Sequence, residues 1–334
     1  MSHPNGFILW RVFSLSDGDM ADRHENDWMF SMEWEKLGHI YGPDGTLSWA
    51  MHSALQPTPI VLDGKIRVFC GFRDEDGVSR VGYVDVASED PTRVLHVSSQ
   101  PVLDVGGFGA FDSHGVVPCA VLNKGSEVHL YYAGYLRGDK VRFQVFGGLA
   151  ISKDDGETFS RYSQTPIVDR TPEEPLFRVI HSIFRENGKW RTWYGGGKEF
   201  IQGKHKTLPV YNIRYMESDD GVNFPSTGNL AVDNLAGEHR VGRPYVIKQG
   251  GQYIMFFGKG KEEEPYRLAY AVSKDGYDWT RYDDIKGLSL SNQGWDSEMM
   301  AYPSVVTAAT GTYMFYNGNN YGYEGFGCAK LVSW

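Results

Sequence analysis

Four carboxylates stand in short polar stretches that lead into apolar, β-branched segments: Asp112 in AFDSHGVV, Glu238 in GEHRVGR, and Asp296 with Glu298 in GWDSEMMAY. Acids in this arrangement can do acid–base or nucleophilic work on a bound substrate. That chemistry needs one group to protonate the leaving oxygen and another to attack or to activate water. Asp296 and Glu298 lie two apart, so an extended backbone would turn both to one side. Two like charges in a partly closed pocket push one pKa upward, which yields an acid at neutral pH. The competing reading is that one of these acids caps a turn or pairs with Arg240 or Arg243.

His52, His114, His181 and His239 occupy nearly equivalent places in four such stretches. A lone histidine is ordinarily a hydrogen-bonded wall residue, whereas four that converge beside Asp112 could hold a divalent metal. No compact His-x-x-x-His motif supports that metal, and no other cofactor is called for. Arg178, Arg240 and Arg243 carry forked guanidinium groups suited to phosphate or carboxylate, so a phosphorylated, nucleotide-linked or acidic ligand is in view. Gln56, Tyr302 and Trp295, with Trp49, Phe108 and Phe111 nearby, add the polar and stacking surfaces that a small polyhydroxy ligand requires.

The elements that must position these groups are strands. Forty glycines and an aromatic share of 14% argue against helices, and three-and-four helical spacing is hard to find. Runs such as KIRVFCGF, EVHLYYAGY, KWRTWYGGG, QYIMFFGKG and TYMFYNGN are β-branched, aromatic and closed by glycine, as strands entering turns are. Each follows another short strand, anchored at Pro57, Pro118, His181, Pro244 and Pro303, with separations of 61, 63, 63 and 59 residues. A steady period of this size built only from strands is the mark of a β-propeller. Third strands follow, and three of them run into Ser-x-Asp-Gly-like turns at Ser152, Ser218 and Ser273. Turn chemistry accounts for these, because Asp accepts from backbone N–H groups while Gly takes a positive φ. The last unit ends at Trp334 without a fourth strand, and residues near Glu33 to Tyr41 carry the missing pattern. The expectation is an all-β, five-bladed propeller of one domain (1–334), its ring closed by that N-terminal strand so that no edge is left unpaired. The first strand of each blade then lines the channel, and the polar stretches ahead of the anchors gather at one mouth.

Composition sets outer limits. A net charge of −9 over 334 residues argues against nucleic acid and against an anionic membrane surface as partners. No stretch has the roughly 18 consecutive apolar residues of a membrane span. The N-terminus has no basic leader, which makes the cytoplasm the simplest compartment. Cys70, Cys119 and Cys328 lie far apart among apolar residues and read as buried free thiols. Oligomeric state is not legible.

On these units, and on GKIRVFCGFRDEDGVSRVGYVDVA in particular, the chain resembles the five-bladed propeller superfamily of arabinanases, β-xylosidases, invertases and levansucrases. These are family 43-like glycoside hydrolases, and the stretch is also similar to the mannoside phosphorylase branch. The resemblance implies a carbohydrate substrate and three axial carboxylates acting as base or nucleophile, pKa modulator and acid. Asp112 matches the modulator. The first unit offers Gln56 and His52 where the base or nucleophile is expected, and the third offers Glu173 and Glu174 well ahead of His181. Three functions follow as expectations. The first is a carbohydrate-active enzyme that cleaves or transfers a glycosidic bond with Asp112, Glu238, Asp296 and Glu298. The second is an intracellular enzyme of surface-polysaccharide or glycoconjugate biosynthesis acting on a nucleotide-linked or anionic sugar, with a metal held by the histidine cluster as an option. The third is a glycan-binding propeller without turnover.

Overall fold

The computed structural model describes residues 32–334, so the reading of the leader at residues 1–19 lies outside the described part. The described residues are almost entirely strand, with one short helical turn at Asn319–Gly322. Strand β1 (Glu33–Tyr41) precedes a meander of β2 (His52–Leu62), β3 (Lys65–Arg73), β4 (Ser79–Ala87) and β5 (Val94–Val97). A second meander holds β6 (Val116–Lys124), β7 (Glu127–Leu136), β8 (Gln144–Ser152) and β9 (Ser160–Arg161). The third group is β10 (Phe177–Glu186), β11 (Lys189–Gln202), β12 (Thr207–Ser218) and β13 (Asn229–Val232), and the fourth is β14 (Glu238–Gln249), β15 (Gln252–Lys261), β16 (Arg267–Ser273) and β17 (Thr280–Tyr282). The last group has β18 (Ala301–Ala308), β19 (Gly311–Asn317) and β20 (Phe326–Ser333). Its fourth strand is β1, which pairs antiparallel with β20 through Trp34 opposite Leu331 and Tyr41 opposite Phe326. The expected pairing of the N-terminal strand with the unit containing Pro303 is therefore present.

Within each group neighbouring strands are antiparallel. A single parallel pairing, Tyr211 with Arg240, joins the third and fourth groups into one eight-stranded sheet. Apolar layers fill the space between groups. Ile60, Phe69 and Tyr83 meet Val116, Leu130 and Tyr132. Tyr131 and Leu149 meet Trp190 and Tyr194, and Trp193 and Tyr215 meet Val246 and Phe257. Phe256 and Tyr270 meet Met314, Tyr316 and the buried Trp34 of β1. Finally Phe315 and Phe326 meet Ile66 and Val68 of the first group. Each sheet is thus covered on both faces, which is why its middle strands read as continuous apolar runs rather than alternating ones. The three Ser-x-Asp-Gly-like turns are structural, as expected. The hydroxyls of Ser152, Ser218 and Ser273 accept from the amides of Gly156, Gly221 and Gly276 at 2.8, 3.0 and 2.8 Å. The three cysteines are buried and unpaired, and no described helix is long and apolar enough to cross a membrane.

Candidate functional site

The first strands β2, β14 and β18 each carry a proline in their interior, where the ladder lacks a donor and a bulge forms. The pairing slips between Leu55 and Thr58, between Gly242 and Tyr245, and between Ala301 and Ser304. The residue before each proline takes a left-handed backbone: Gln56 at φ 52°, Arg243 at φ 57° and Tyr302 at φ 58°. Strain of this kind in non-glycine residues persists where the surroundings fix it, often beside a ligand site. All three residues line one cavity of about 480 Å³ where the first strands of the groups converge.

His114, His181, His239 and Arg240 line the same cavity, so seven of the residues singled out from the sequence are brought together. Arg243 sits deepest. Its guanidinium donates to the carbonyl of Cys119, to Thr58 Oγ1 at 2.9 Å and to Ser304 Oγ at 3.2 Å, linking three other strands to its own. Burial lowers its pKa from 12.5, but arginine stays charged. Arg240 lies over the Tyr266 ring at 4.3 Å and donates to Tyr321 Oη at 3.0 Å. Burial, followed by the charge of Arg243, holds His181 well below its usual pKa. His239 is also lowered, chiefly by burial. Its Nδ1–H donates to the Pro209 carbonyl at 2.8 Å, which leaves Nε2 as the free, unprotonated nitrogen. That atom has no partner, nor do His181 Nδ1, Arg240 Nε and Arg243 Nε.

The four carboxylates do not share this cavity, and among the described residues no Asp or Glu lines it. Asp112 is fully buried and accepts from Tyr132 Oη at 2.9 Å and Arg161 Nε at 2.8 Å. Asp296 accepts from Tyr316 Oη at 3.1 Å and Lys36 Nζ at 2.7 Å. Glu174, in the third group, accepts from Tyr194 Oη at 2.6 Å and Arg178 Nε at 2.9 Å. In all three cases the tyrosine follows its acid by 20 residues. Glu238 is held by both ends of Arg281, at 2.6 and 2.9 Å. These acids are the repeat's internal brace, each neutralised by a cation of its own or the adjoining strand group. The expected same-side pairing of Asp296 and Glu298 fails for a local reason. Residues 291–300 form turns rather than extended chain, so Asp296 points inward and Glu298 is exposed. Neither pairs with Arg240 or Arg243.

Three further expectations also need correcting. Arg178 is spent on Glu174. Trp295 packs inside its sheet group against Tyr316, with ring centroids 5.1 Å apart, rather than facing a ligand. His52 stacks on Tyr323 at 4.7 Å and is not part of the lining. Among the described residues no group of three or more His, Cys, Asp or Glu is placed to hold a metal ion, so His52, His114, His181 and His239 do not form a cluster.

Sequence reasoning missed most of the wall. Tyr135, Tyr211, Tyr266 and Tyr321 line the cavity, as do Arg73, Arg137, Arg142 and Lys206. Asn320 and Tyr321 adopt left-handed backbone angles in the helical turn that delivers Tyr321. The missed cations sit at the end of β3 and in the β7–β8 and β11–β12 loops. In an antiparallel group the end of the second strand returns to the mouth where the first strand began. GYLRGDKVRF and IQGKHKT therefore carried a readable signal.

No protein-family model matches the chain. It is 32% identical over 303 residues to the uncharacterized protein Rv1502 of Mycobacterium tuberculosis strain H37Rv, covering 90% of this chain and 99% of the relative. Among solved structures, it is similar to a glycoside hydrolase with a TM-score of 0.70, at 18% identity and covering 90% of this chain and 92% of the other. A thermostable family-43 glycoside hydrolase gives a TM-score of 0.63 at 17% identity, covering 84% and 89%. A structure from the GH130 family of mannoside phosphorylases gives 0.67 at 14% identity, covering 91% and 95%. The chain belongs to one family with Rv1502, and it shares its overall fold with these solved glycoside hydrolase structures.

Proposed function

We propose that the five strand groups form one five-bladed ring closed by β1, and that the cavity at its axis is where the chain binds and acts on a carbohydrate. The observation that carries this reading is the lining itself. Tyrosine faces and the half-buried Gln56 stand beside buried His and Arg groups that keep unpartnered nitrogens where the first strands meet. Such a wall satisfies hydroxyls and stacks on sugar faces. The two-carboxylate route is not part of the proposal, because Asp112, Glu238 and Asp296 are committed to braces and Glu298 is exposed. Acid–base work falls instead to His239. Its Nε2 is unprotonated near neutral pH and has no partner in the wall, so it can serve as the base that takes a proton from a bound sugar hydroxyl. The lack of a carboxylate among the described lining residues also favours a second reading, a glycan-binding propeller without turnover.

The test is to incubate the chain with neutral, uronic, phosphorylated and nucleotide-linked sugars and to follow products by mass spectrometry, alongside binding. Turnover that falls about 100-fold in His239→Asn with binding retained supports the enzyme. Binding without turnover in the native chain selects the second reading, and no binding of any sugar refutes both.

A further inference from the structure

Six permanent cations line the cavity: Arg73, Arg137, Arg142, Lys206, Arg240 and Arg243. Among the described residues none of them forms a salt bridge and no carboxylate shares the lining, in a chain whose formal net charge is −9. Buried charges are ordinarily paired, because removing an ion from water without compensation is costly. Here the deepest cations go without a carboxylate, although most other buried arginines of the chain have one. Arg67 is paired with Asp85, Arg178 with Glu174 and Arg191 with Glu186. Arg243 is only 4% exposed and Arg240 9%, and the Nε of each has no hydrogen-bond acceptor. His181 and His239, 8% and 5% exposed, also keep one ring nitrogen unpartnered in the same wall. The missing acceptors and the missing negative charge coincide in one place.

We propose that the axial cavity takes an acidic carbohydrate, one carrying a phosphoryl or carboxylate group, and that this group is the counter-charge which Arg240 and Arg243 lack. The proposal rests on the carbohydrate reading above and names the class of sugar. Arginine suits the task, since its fork matches both oxyanions and it loses no charge on burial. Arg137, Arg142 and Lys206 lie on loops at the mouth and draw the anion inward. The tyrosines and Gln56 remain available to the neutral part of the sugar.

The experiment compares calorimetric binding of glucose phosphate, glucuronate, glucose and inorganic phosphate to the native chain at low salt and at about 0.5 M salt. The same titrations on Arg142→Gln/Lys206→Gln test the mouth, where the substituted residues lie on loops and the fold is not at stake. Arg243→Lys, checked by its melting curve, tests the floor. At least tenfold tighter binding of one acidic sugar than of glucose is expected, weakened by salt and by the double loop variant. Preference for glucose phosphate or for glucuronate identifies the oxyanion. Glucose binding as tightly as both acidic sugars overturns the inference while leaving the carbohydrate reading intact. Inorganic phosphate binding as tightly as glucose phosphate, with glucose and glucuronate silent, overturns the carbohydrate reading and keeps the anion site. Silence from all four ligands overturns both.

Discussion

Replacing Asp112 by Asn separates a catalytic acid from a structural brace. The side chain is fully buried, and its Oδ2 accepts from Tyr132 and Arg161 while Oδ1 has no partner. The amide keeps one oxygen toward those donors, but its NH₂ then occupies the Oδ1 position, where no acceptor waits. An unsatisfied buried donor costs about 1–3 kcal/mol. Loss of the charge also leaves Arg161 uncompensated. Breaking a fully buried pair costs about 3–5 kcal/mol, but Arg161 is 17% exposed on its side chain and keeps the Asp104 carbonyl, so the lower end applies. The two terms sum to about 4–6 kcal/mol, which corresponds to a fall in Tm of roughly 6–9 °C for a chain of this size. Because Asp112 does not line the cavity, sugar affinity below the transition should stay within about twofold of native. Thermal melts and binding of one sugar, measured on the same preparations, give both numbers. Glu298→Gln, at an exposed position, serves as the control that moves neither. An Asp112→Asn chain with native Tm and turnover reduced about 100-fold would refute this account and restore Asp112 as a catalytic acid.

Two further outcomes are expected. Removing the brace hydroxyls one at a time, as Tyr132→Phe, Tyr194→Phe and Tyr316→Phe, should cost about 1 kcal/mol each and by similar amounts, since each donates to an acid in the same structural role; denaturant melts that give one large and two null effects would show that the motif is not a repeat. His181 and His239 have folded pKa values below 6.5, with Arg243 facing the first and Arg240, Lys206 and Glu262 the second. The unfolded chain therefore binds protons that the folded chain does not, so stability is full above about pH 6.5 and falls as pH drops below it; Tm measured from pH 8 to about 5 should show that decline, and His181→Asn should flatten it.

The strand groups and the pairing of β1 with β20 were legible because their signals are local. Strand composition, glycine-closed turns and the anchors at Pro57, Pro118, His181, Pro244 and Pro303 depend on neighbours in the chain, and so does the pattern of β1. The site was partly legible for the same reason. An offset of one residue ahead of an anchor located Gln56, Arg243 and Tyr302, whose direction is set by a bulge at the anchor itself. Longer offsets failed for Asp112, Glu238 and Asp296, which lie six or seven residues ahead of their anchors. There the chain turns, and the side chain's direction depends on partners such as Arg161, Arg281 and Lys36, distant in sequence. No local pattern distinguishes an acid aimed at the axis from one aimed into its own sheet. Trp295 misled for a related reason, since an aromatic beside a polar stretch looks the same whether it stacks on a ligand or on Tyr316.

The brace also bears on what the cavity can hold. A propeller that used its repeat acids at the axis would cancel the arginines there and accept a neutral sugar. Here each acid is neutralised inside the sheets by a cation within hydrogen-bonding distance, so none is left to screen Arg240 and Arg243. Buried charges are screened by salt far less than exposed ones. The cavity lining therefore carries cations without carboxylates inside a chain that is acidic as a whole, and a cleft of one sign with low-dielectric walls focuses its field at its mouth. An acidic ligand is repelled by most of the surface and attracted at one opening. On the proposal made above, the same arrangement that keeps the carboxylates out of the cavity selects the charge of what enters it.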